Sequence, residues 1–445
     1  MNILFISLGC DKNLSDSEEM LGLLTGSGHE IVNTEEEADA IVVNTCCFIH
    51  DAKEESVETI LEMAEYKKAG TCRALIVTGC MAQRYKEEIM QEIPEVDAVL
   101  GTTSYSDIVK ALDEALAGSK FQEFRDINEL PEVSGNRVLT TGGHFGYLKI
   151  AEGCDKHCTY CIIPSLRGRF RSVPQERLLA QAEYMASQGV RELILVAQET
   201  TVYGTDLYGK KTLHLLLKKL CEIKGIRWIR VLYCYPEEIY DELIQVMKEE
   251  KKICHYLDLP IQHASDRILR RMGRRTSKEQ LVGIIQKLRR EIPDIVLRTT
   301  LITGFPGETE EDHQELMEFV DEMEFDRLGV FTYSPEEGTP AASMEGQIEE
   351  ELKEERRDEL MELQQEISLE KGNNRIGQEL MVMIEGKVSG ESAYIGRTYG
   401  DAPNVDGYLF VQTGELLMTG DFARVRVTGA LEYDLIGELA DEYTE

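Results

Sequence analysis

The chain has 445 residues, of which 42% are hydrophobic and 29% are charged, and this composition is typical of a soluble globular protein with roughly two to four domains. Its 82 acidic and 48 basic side chains give a net charge of −34, which argues against a bare polyanion as the main partner, because nucleic-acid binding depends on Lys and Arg. Such a charge would attract a basic protein, or it would simply keep the chain soluble.

The apolar runs are short and the cysteines are numerous. No run is long enough to span a membrane, and no leader-like segment precedes the strand pattern that starts at Ile3, so we expect a cytoplasmic protein without a membrane partner. Eleven cysteines in a reducing compartment favour metal or cluster ligation over disulfides.

The first 118 residues alternate strand and helix patterns with short connections. The strand patterns are Ile3–Ser7, Ala40–Asn44, Ala74–Thr78 and Ala98–Leu100. The helical patterns are Asp16–Thr25, Asp51–Lys67, Gln83–Gln91 and Tyr105–Ala117. This alternation indicates a parallel sheet with helices on both faces, so we predict an N-terminal doubly wound α/β domain over residues 1–118.

Residues 119–146 are poorly periodic and predict a linker, and residues 147–372 return to the alternating pattern. The strand patterns here are Tyr147–Ala151, Leu193–Ala197, Ile229–Leu232, His255–Leu259, Val296–Ile302 and Arg327–Tyr333. Six strands separated by helical stretches predict a central βα barrel, complete or partial. A charged amphipathic helix, Ile348–Lys371, ends this domain.

Residues 373–445 contain short alternating segments separated by glycine. The segments are Leu380–Glu385, Gly407–Gln412 and Ala423–Thr428. They predict a small all-β barrel at the C-terminus. The predicted fold class is therefore α/β, with a doubly wound sheet, a βα barrel and a terminal β-barrel in that order.

The strongest chemical signal is a loop directly after the first strand of the second domain. Cys154, Cys158 and Cys161 are spaced Cys-x3-Cys-x2-Cys. Three thiolates from one loop can hold a 4Fe–4S cluster and leave one iron open to bind S-adenosylmethionine. Zinc is the alternative, with His157 as a fourth ligand, but zinc sites usually pair two cysteine units and no second unit lies nearby in the sequence.

A second triplet is spread along the first domain, where Cys10, Cys46 and Cys80 each follow a predicted strand. The carboxyl ends of parallel strands share one edge of a sheet, so these cysteines can converge on one cofactor. Cys47 competes with Cys46 as a ligand, although adjacent residues in an extended chain point in opposite directions. The other cysteines are predicted to be structural: Cys72, Cys221, Cys234 and Cys254.

A glycine-rich segment, Thr303–Glu308, follows the fifth barrel strand, at the face where barrels keep their active sites. Gly304 and Gly307 in this segment either contact the adenosyl group of a bound cofactor or form only a tight turn. No Walker loop, His-Glu-x-x-His or Gly-x-Ser-x-Gly motif is found, which argues against the commoner hydrolase and phosphotransferase functions.

These motifs resemble the methylthiotransferase family of radical S-adenosylmethionine enzymes over nearly the whole chain. The segments that carry the resemblance are Leu8–Asn13, Gly153–Arg169 and Asp401–Gly407. The family has an N-terminal methylthiotransferase domain, a radical core and a C-terminal TRAM domain, which the resemblance places at residues 1–118, 147–372 and 373–445. Within the family, the sequences of these segments are most similar to those of the branch that modifies a ribosomal protein. Cys47 departs from the family, which usually has glycine there.

The resemblance implies two 4Fe–4S clusters, a radical cluster on Cys154, Cys158 and Cys161 and a second one on Cys10, Cys46 and Cys80. Reductive cleavage of S-adenosylmethionine would give a 5′-deoxyadenosyl radical that abstracts a β-hydrogen from an aspartate of small-subunit ribosomal protein twelve. The carbon radical would then take a methylthio group from the second cluster, and a second S-adenosylmethionine would supply the methyl. An electron donor is a further implied partner.

Two alternatives remain at the level of function. One is a sister enzyme that methylthiolates an adenosine of transfer RNA, and the other is a non-catalytic iron–sulfur protein that docks on the ribosome. From Arg375 to Glu445 the chain has five basic and thirteen acidic residues, so we expect a basic ribosomal protein or the small ribosomal subunit as partner. RNA binding is not expected to dominate, although four aromatic residues could stack on bases: Tyr394, Tyr399, Tyr408 and Phe410.

Overall fold

The computed structural model describes residues 1–131 and 137–440. Residues 132–136 of the predicted linker and 441–445 of the predicted terminal domain lie outside the described residues. The strands of the first domain are β1 (Asn2–Ser7), β2 (Glu30–Val32), β3 (Ala40–Thr45), β4 (Ala74–Gly79), β5 (Ala98–Leu100) and β6 (Phe121–Glu123). The helices are α1 (Asp11–Gly26), α2 (His50–Lys68), α3 (Cys80–Tyr85), α4 (Glu87–Glu92) and α5 (Ile108–Leu116).

The first sheet is parallel throughout and has the order β2-β1-β3-β4-β5-β6. Every residue of β3 and β4 is buried, because helices cover both faces, and this explains their continuous apolar sequences. The predicted doubly wound sheet is therefore confirmed. The carboxyl ends of β1, β3 and β4 lie side by side at one edge of the sheet.

Two details of the first domain differ from the sequence prediction. The single helix predicted over Gln83–Gln91 is wrong, because the chain breaks into α3 and α4 at Lys86, whose φ of +45° no helix accommodates. The edge strands β2 and β6 were not predicted, and β6 lies within the predicted linker. Both have only three residues, and none of them is fully buried, so they leave no periodic pattern.

The second domain is built on an open parallel sheet with the order β14-β13-β12-β11-β10-β7, which confirms a partial βα barrel. Its strands are β7 (Phe145–Lys149), β8 (Ala151–Glu152), β9 (Arg171–Ser172), β10 (Glu192–Val196), β11 (Trp228–Val231), β12 (Ile253–Asp258), β13 (Val296–Thr303) and β14 (Arg327–Thr332). The short strands β8 and β9 pair with each other outside the main sheet.

Helices cover the outer face of this sheet. The helices of the second domain are α6 (Ile163–Arg167), which packs against the first domain, α7 (Gln175–Ser187), α8 (Thr205–Tyr208), α9 (Leu213–Cys221), α10 (Asp241–Glu249), α11 (Asp266–Arg271), α12 (Lys278–Glu291), α13 (Glu310–Met323) and α14 (Glu350–Asn373). The largest hydrophobic core of the protein lies between these helices and the sheet. Within the described ranges, no helix combines the length and the apolar character needed to cross a membrane.

The C-terminal residues form a closed five-stranded barrel with the order β15-β16-β17-β19-β18, as predicted. Its strands are β15 (Glu379–Lys387), β16 (Ala393–Thr398), β17 (Leu409–Gln412), β18 (Phe422–Ala430) and β19 (Leu435–Leu439). Met383, Ala402 and Phe422 of the terminal barrel pack with Tyr147, Tyr256 and other side chains from the inner face of the open sheet. The terminal β-barrel therefore packs against the inner, concave face of the open sheet of the second domain.

Candidate functional site

The loop that carries the first cysteine triplet is held by backbone hydrogen bonds on both sides. The amide of Cys154 donates to the carbonyl of Gly168 at 3.1 Å, and the amide of Thr159 donates to the carbonyl of Met272 at 2.9 Å. Cys154 and Cys158 are buried and Cys161 is half-buried. Burial raises the pKa of the Cys161 thiol to about 12, and the neighbouring Cys158 and Cys154 contribute to the rise, so the three thiols lie together.

A cavity of about 300 Å³ opens beside this loop and is lined by Cys154 and Cys158. The Tyr235 hydroxyl lies 3.7 Å from the Cys158 sulfur, and the Arg274 guanidinium stacks 4.2 Å above the Tyr235 ring. One Glu199 oxygen accepts hydrogen bonds from Thr201, while the other is buried without a partner. Burial raises the pKa of Glu199 to about 7, so this carboxyl group is suited to accept a cationic donor from a molecule in the cavity.

The second triplet lies at the shared strand edge of the first domain. Cys10 precedes α1, Cys46 follows β3, and Cys80 begins α3 directly after β4. Burial raises the pKa of Cys46 to about 11, and the thiols of Cys80 and Cys10, which are close enough to interact with it electrostatically, raise it further. Gly9 allows this approach, because with its φ of +86° a side-chain Cβ would lie 2.6 Å from the Cβ of Cys46.

Cys46 and Cys47 point to different surroundings. Cys46 interacts with both other cysteines of the triplet. Gly9, next to Cys10, lies directly against the Cβ and sulfur of Cys46. Cys47 is instead fully buried in a hydrophobic cluster, and its pKa is raised to about 12 by burial and then by Cys80. Arg84 also hydrogen-bonds to Cys47. The geometry therefore favours Cys46 as the third member of the triplet.

The surroundings of the two cysteine sites are joined by contacts between the first and second domains. Tyr233, with an unusual φ of +58°, donates from its hydroxyl to Asp11 at 3.0 Å, and the Lys12 ammonium lies 3.2 Å from the centre of its ring. Tyr233 is two residues from Tyr235, which contacts Cys158, while Asp11 adjoins Cys10. The segment after β11 thus contacts the surroundings of both sites.

The glycines predicted beside a cofactor are explained by packing. Gly304 has a φ of +68° and lies against the Lys353 side chain, and Gly307, with a φ of +80°, lies against the Arg271 guanidinium. Neither lines the cavity beside Cys154, so their contact with an adenosyl group stays a prediction. The remaining cysteines pack as expected, with Cys72, Cys234 and Cys254 buried and Cys221 half-buried.

Several residues of the site were missed by the sequence reasoning. Glu199, Tyr235 and Arg274 line the cavity, and Arg167 lies beside Cys80 in the domain contact. Their sequence surroundings carry no metal-ligand spacing or periodic pattern. Only the ordering of the barrel strands could have indicated Glu199 and Tyr235, because both follow the carboxyl ends of strands, β10 and β11.

The donor sets fit iron–sulfur clusters. Each site gathers three thiols, and a cluster with three cysteine ligands leaves one iron open for another ligand. Among the described residues, no group of three or more Cys, His, Asp or Glu side chains is arranged to share a single metal ion. A cluster binds each cysteine through a different iron atom, so its ligands need not converge on one point.

Family models match the three parts of the chain. The uncharacterized protein family UPF0004 matches residues 2–101, the radical SAM superfamily matches residues 148–320, and the TRAM domain matches residues 376–440. Solved structures show a similar fold. A radical S-adenosylmethionine methyltransferase, TsrM from Kitasatospora setae, aligns with a TM-score of 0.54 and 12% identity over 76% of this chain and 73% of that one. The cobalamin-dependent radical enzyme OxsB aligns with a TM-score of 0.52 and 15% identity over 81% of this chain and 56% of that one.

The open barrel and its cysteine loop thus define a radical S-adenosylmethionine enzyme. Curated relatives specify the type. A ribosomal protein uS12 methylthiotransferase RimO from Lachnoclostridium phytofermentans is 66% identical over 98% of this chain and 99% of its own length. A protein of the same name from Pelotomaculum thermopropionicum is 54% identical over 97% of this chain and 98% of its own length. Another, from Clostridium botulinum, is 49% identical over 100% of this chain and 99% of its own length. The chain belongs to the ribosomal protein uS12 methylthiotransferase RimO family.

Proposed function

We propose that this enzyme methylthiolates the β-carbon of an aspartate in ribosomal protein uS12, using two 4Fe–4S clusters and S-adenosylmethionine. The observation that carries the proposal is the pair of cysteine triplets whose surroundings are joined by the segment Tyr233–Tyr235 at one domain contact. The named activity of relatives that are 49–66% identical over nearly the full length supports it. An aspartate β-carbon has no acidic hydrogen, so substitution there needs radical chemistry.

The first site is assigned to S-adenosylmethionine cleavage. Cys154, Cys158 and Cys161 would hold a cluster that supplies an electron and an open iron, while the second cluster would present the sulfur-containing group. The cavity beside Cys154 would hold S-adenosylmethionine, with Glu199 accepting hydrogen bonds from its amino group. Tyr235 and Arg274 close one wall of this cavity and limit the access of water.

The second site is assigned to delivery of the methylthio group. Cys10, Cys46 and Cys80 would hold the cluster, and the edge between the first and second domains would receive the substrate side chain. Cys10 is the exposed member of the triplet, so this cluster would be reached from its side.

The terminal barrel supports a protein substrate over RNA. Two of the aromatic residues that could stack on bases are unavailable. Tyr394 is buried in the barrel, where its hydroxyl accepts from the amide of Leu417, and Tyr399 packs against the second domain and donates to the carbonyl of Asp294. Arg397, one of the five basic residues, is buried in ion pairs with Glu192 and Glu385. An RNA-binding surface needs exposed aromatic rings and positive charges, and two of the four candidate rings and one of the five basic side chains are not available for it.

A deletion experiment tests this function directly. Ribosomal proteins and transfer RNA from cells with and without the gene would be compared by mass spectrometry. We expect the methylthio mass to disappear from uS12 alone and to return when the gene is restored. Loss of the mass from transfer RNA, with uS12 unchanged, would contradict the proposal.

A further inference from the structure

The segment Leu166–Gly168, at the end of α6, contacts both the loop of the first cysteine triplet and the first domain. On one side, the carbonyl of Gly168 accepts the hydrogen bond from the amide of Cys154. On the other side, the carbonyl of Leu166 accepts a 2.8 Å hydrogen bond from Thr102 of the first domain. The three residues thus connect the cysteine loop of the second domain to the first domain through hydrogen bonds.

Arg167, at the centre of this link, is 2% exposed and is bound on all sides. Its guanidinium donates to Asn13 at 3.1 Å and to Asp16 at 2.9 Å, both on α1 of the first domain. It also donates to Glu152 of the second domain at 3.1 Å. Lys149 joins the same group by pairing with Asp16 and Glu152.

The same guanidinium lies beside the second cysteine triplet. Asn13, which accepts from Arg167, also donates to the carbonyl of Thr45 at 3.2 Å, next to Cys46. The positive charge of Arg167 also counteracts the burial that raises the pKa of Cys80. Lys12 also interacts with Cys10, but it is held by Asp11 and the Tyr233 ring. Arg167 is therefore a buried cation close to the second cysteine triplet, while the carbonyl of its neighbour Gly168 binds the loop of the first triplet.

We propose that Arg167 is a positioning residue that fixes the distance between the two clusters and raises the reduction potential of the cluster on Cys10, Cys46 and Cys80. A fixed positive charge stabilises the more negative, reduced state of a nearby cluster, and hydrogen bonds to the cysteine sulfurs act in the same direction. The planar fork of arginine binds both domains at once, which a lysine ammonium cannot reproduce. This inference rests on the proposed function, because it requires that both triplets hold clusters.

The test uses the full-length chain after anaerobic reconstitution. In a background with Cys154, Cys158 and Cys161 changed to Ala, the midpoint potential of the remaining cluster is measured by redox titration with electron paramagnetic resonance. We expect Arg167→Gln to lower this potential and Asp16→Asn, which removes a neighbouring negative charge, to raise it. Arg167→Lys, which keeps the charge, should lie nearer to the wild-type potential than Arg167→Gln.

A second readout uses the chain with both clusters. Magnetic coupling between the two reduced clusters broadens their resonance signals, and both Arg167→Gln and Arg167→Lys should weaken that broadening. Arg230→Gln is the matched control. Arg230 is equally buried and ion-paired to Glu192 at 2.7 Å but contacts neither triplet, so both readouts should stay unchanged.

Opposite shifts from Arg167→Gln and Asp16→Asn cannot arise from general loss of folding. If Arg167→Gln fails to retain iron, the Asp16→Asn and Arg167→Lys variants decide the question. An unchanged potential of the remaining cluster in Asp16→Asn together with unchanged signal broadening in Arg167→Lys, or potential shifts of the same sign from Arg167→Gln and Asp16→Asn, would overturn the inference. Failure of the proposed function would look different, as wild-type protein that binds only one cluster or gives no methylthio product.

Discussion

Cys46 and Cys47 are adjacent and both buried, yet it is Cys46 that packs directly against Gly9, the residue before Cys10. We therefore expect Cys46→Ala to lose the second cluster and the methylthio product. Cys47→Ala should keep both and cost about 1 kcal/mol of stability, since it removes one small group from a packed cluster. Iron and sulfide analysis of the two variants gives the measurement. Loss of iron from the Cys47 variant alone would show that Cys47, and not Cys46, is the cluster ligand.

The sequence predicts the cysteines of the site better than their surroundings. The loop triplet follows from its spacing, and the spread triplet follows from three strand ends, because parallel strands share an edge. Arg167 and Tyr233 could not be predicted in the same way. Their partners Asp16 and Asp11 lie 151 and 222 residues away in the chain, and only the docking of two domains brings them together. Long-range contacts of this kind leave no local pattern.

The loop between Cys154 and Cys161 is expected to control S-adenosylmethionine cleavage. Changing Cys154, Cys158 and Cys161 together to Ala should leave about half of the roughly eight irons that two clusters contain. It should also abolish 5′-deoxyadenosine formation with a strong reductant, because the open iron of this site is lost. Iron analysis and chromatography of the nucleoside products check both effects. Continued 5′-deoxyadenosine formation would show that the role of this loop is misassigned.

The strand ends of the first domain are expected to control sulfur delivery. Cys10→Ala combined with Cys80→Ala should remove the second cluster and leave the loop of the second domain intact, since the loop is held by Gly168 and Met272. S-adenosylmethionine should then still be cleaved without methylthio product, as measured by mass spectrometry of the substrate. Formation of the methylthio product at the wild-type rate would show that Cys10 and Cys80 have only a structural role.

Strands were predicted more reliably than helices and edges. Each strand predicted in the two parallel sheets lies within one or two residues of its observed bounds, because buried parallel strands are continuous apolar runs. The break at Lys86 was missed, since nothing in the surrounding sequence indicates a positive φ for lysine. The edge strands β2 and β6 were missed because they are short and partly exposed. Sequence periodicity reports burial, and it fails where burial is incomplete.

The terminal barrel is attached to the open sheet by a buried ion cluster. Arg397 of β16 pairs with Glu192 of β10 at 2.8 Å, and Glu192 also pairs with Arg230. Burial alone would raise the pKa of Glu192, but the two arginines outweigh it and lower the pKa below its ordinary 4.5. The stabilisation from this carboxylate is therefore complete above pH 4.5 and is lost only as the pH falls through the lowered value.

Arg397→Met should destabilise the protein by roughly 3–5 kcal/mol, because it leaves buried carboxylates without one of their partners. Because the pKa of Glu192 is then less depressed, the variant should lose less additional stability than the wild type as the pH falls below 4.5. Urea denaturation followed by circular dichroism from pH 4 to pH 8 measures both effects. The double variant Arg397→Met with Glu192→Gln should lose less than the sum of the two single variants. Additive losses would show that the two side chains do not interact.

The choice between protein and RNA depends on the charge that the enzyme presents. The chain carries a net charge of −34, and its terminal barrel is also acidic, which attracts a basic ribosomal protein and repels phosphates. Given purified uS12 and, separately, unmodified transfer RNA, the reconstituted enzyme should transfer the methylthio group only to the protein. Added salt should weaken this reaction by raising the KM.

Glu391→Lys with Glu415→Lys, at exposed positions on the barrel, should raise the KM for uS12 if the barrel faces the substrate. The same change of charge at Asp321 and Glu322 of α13 is the control and should have a smaller effect, since these residues lie on a different domain. Transfer to RNA alone would place the enzyme in the branch that modifies transfer RNA.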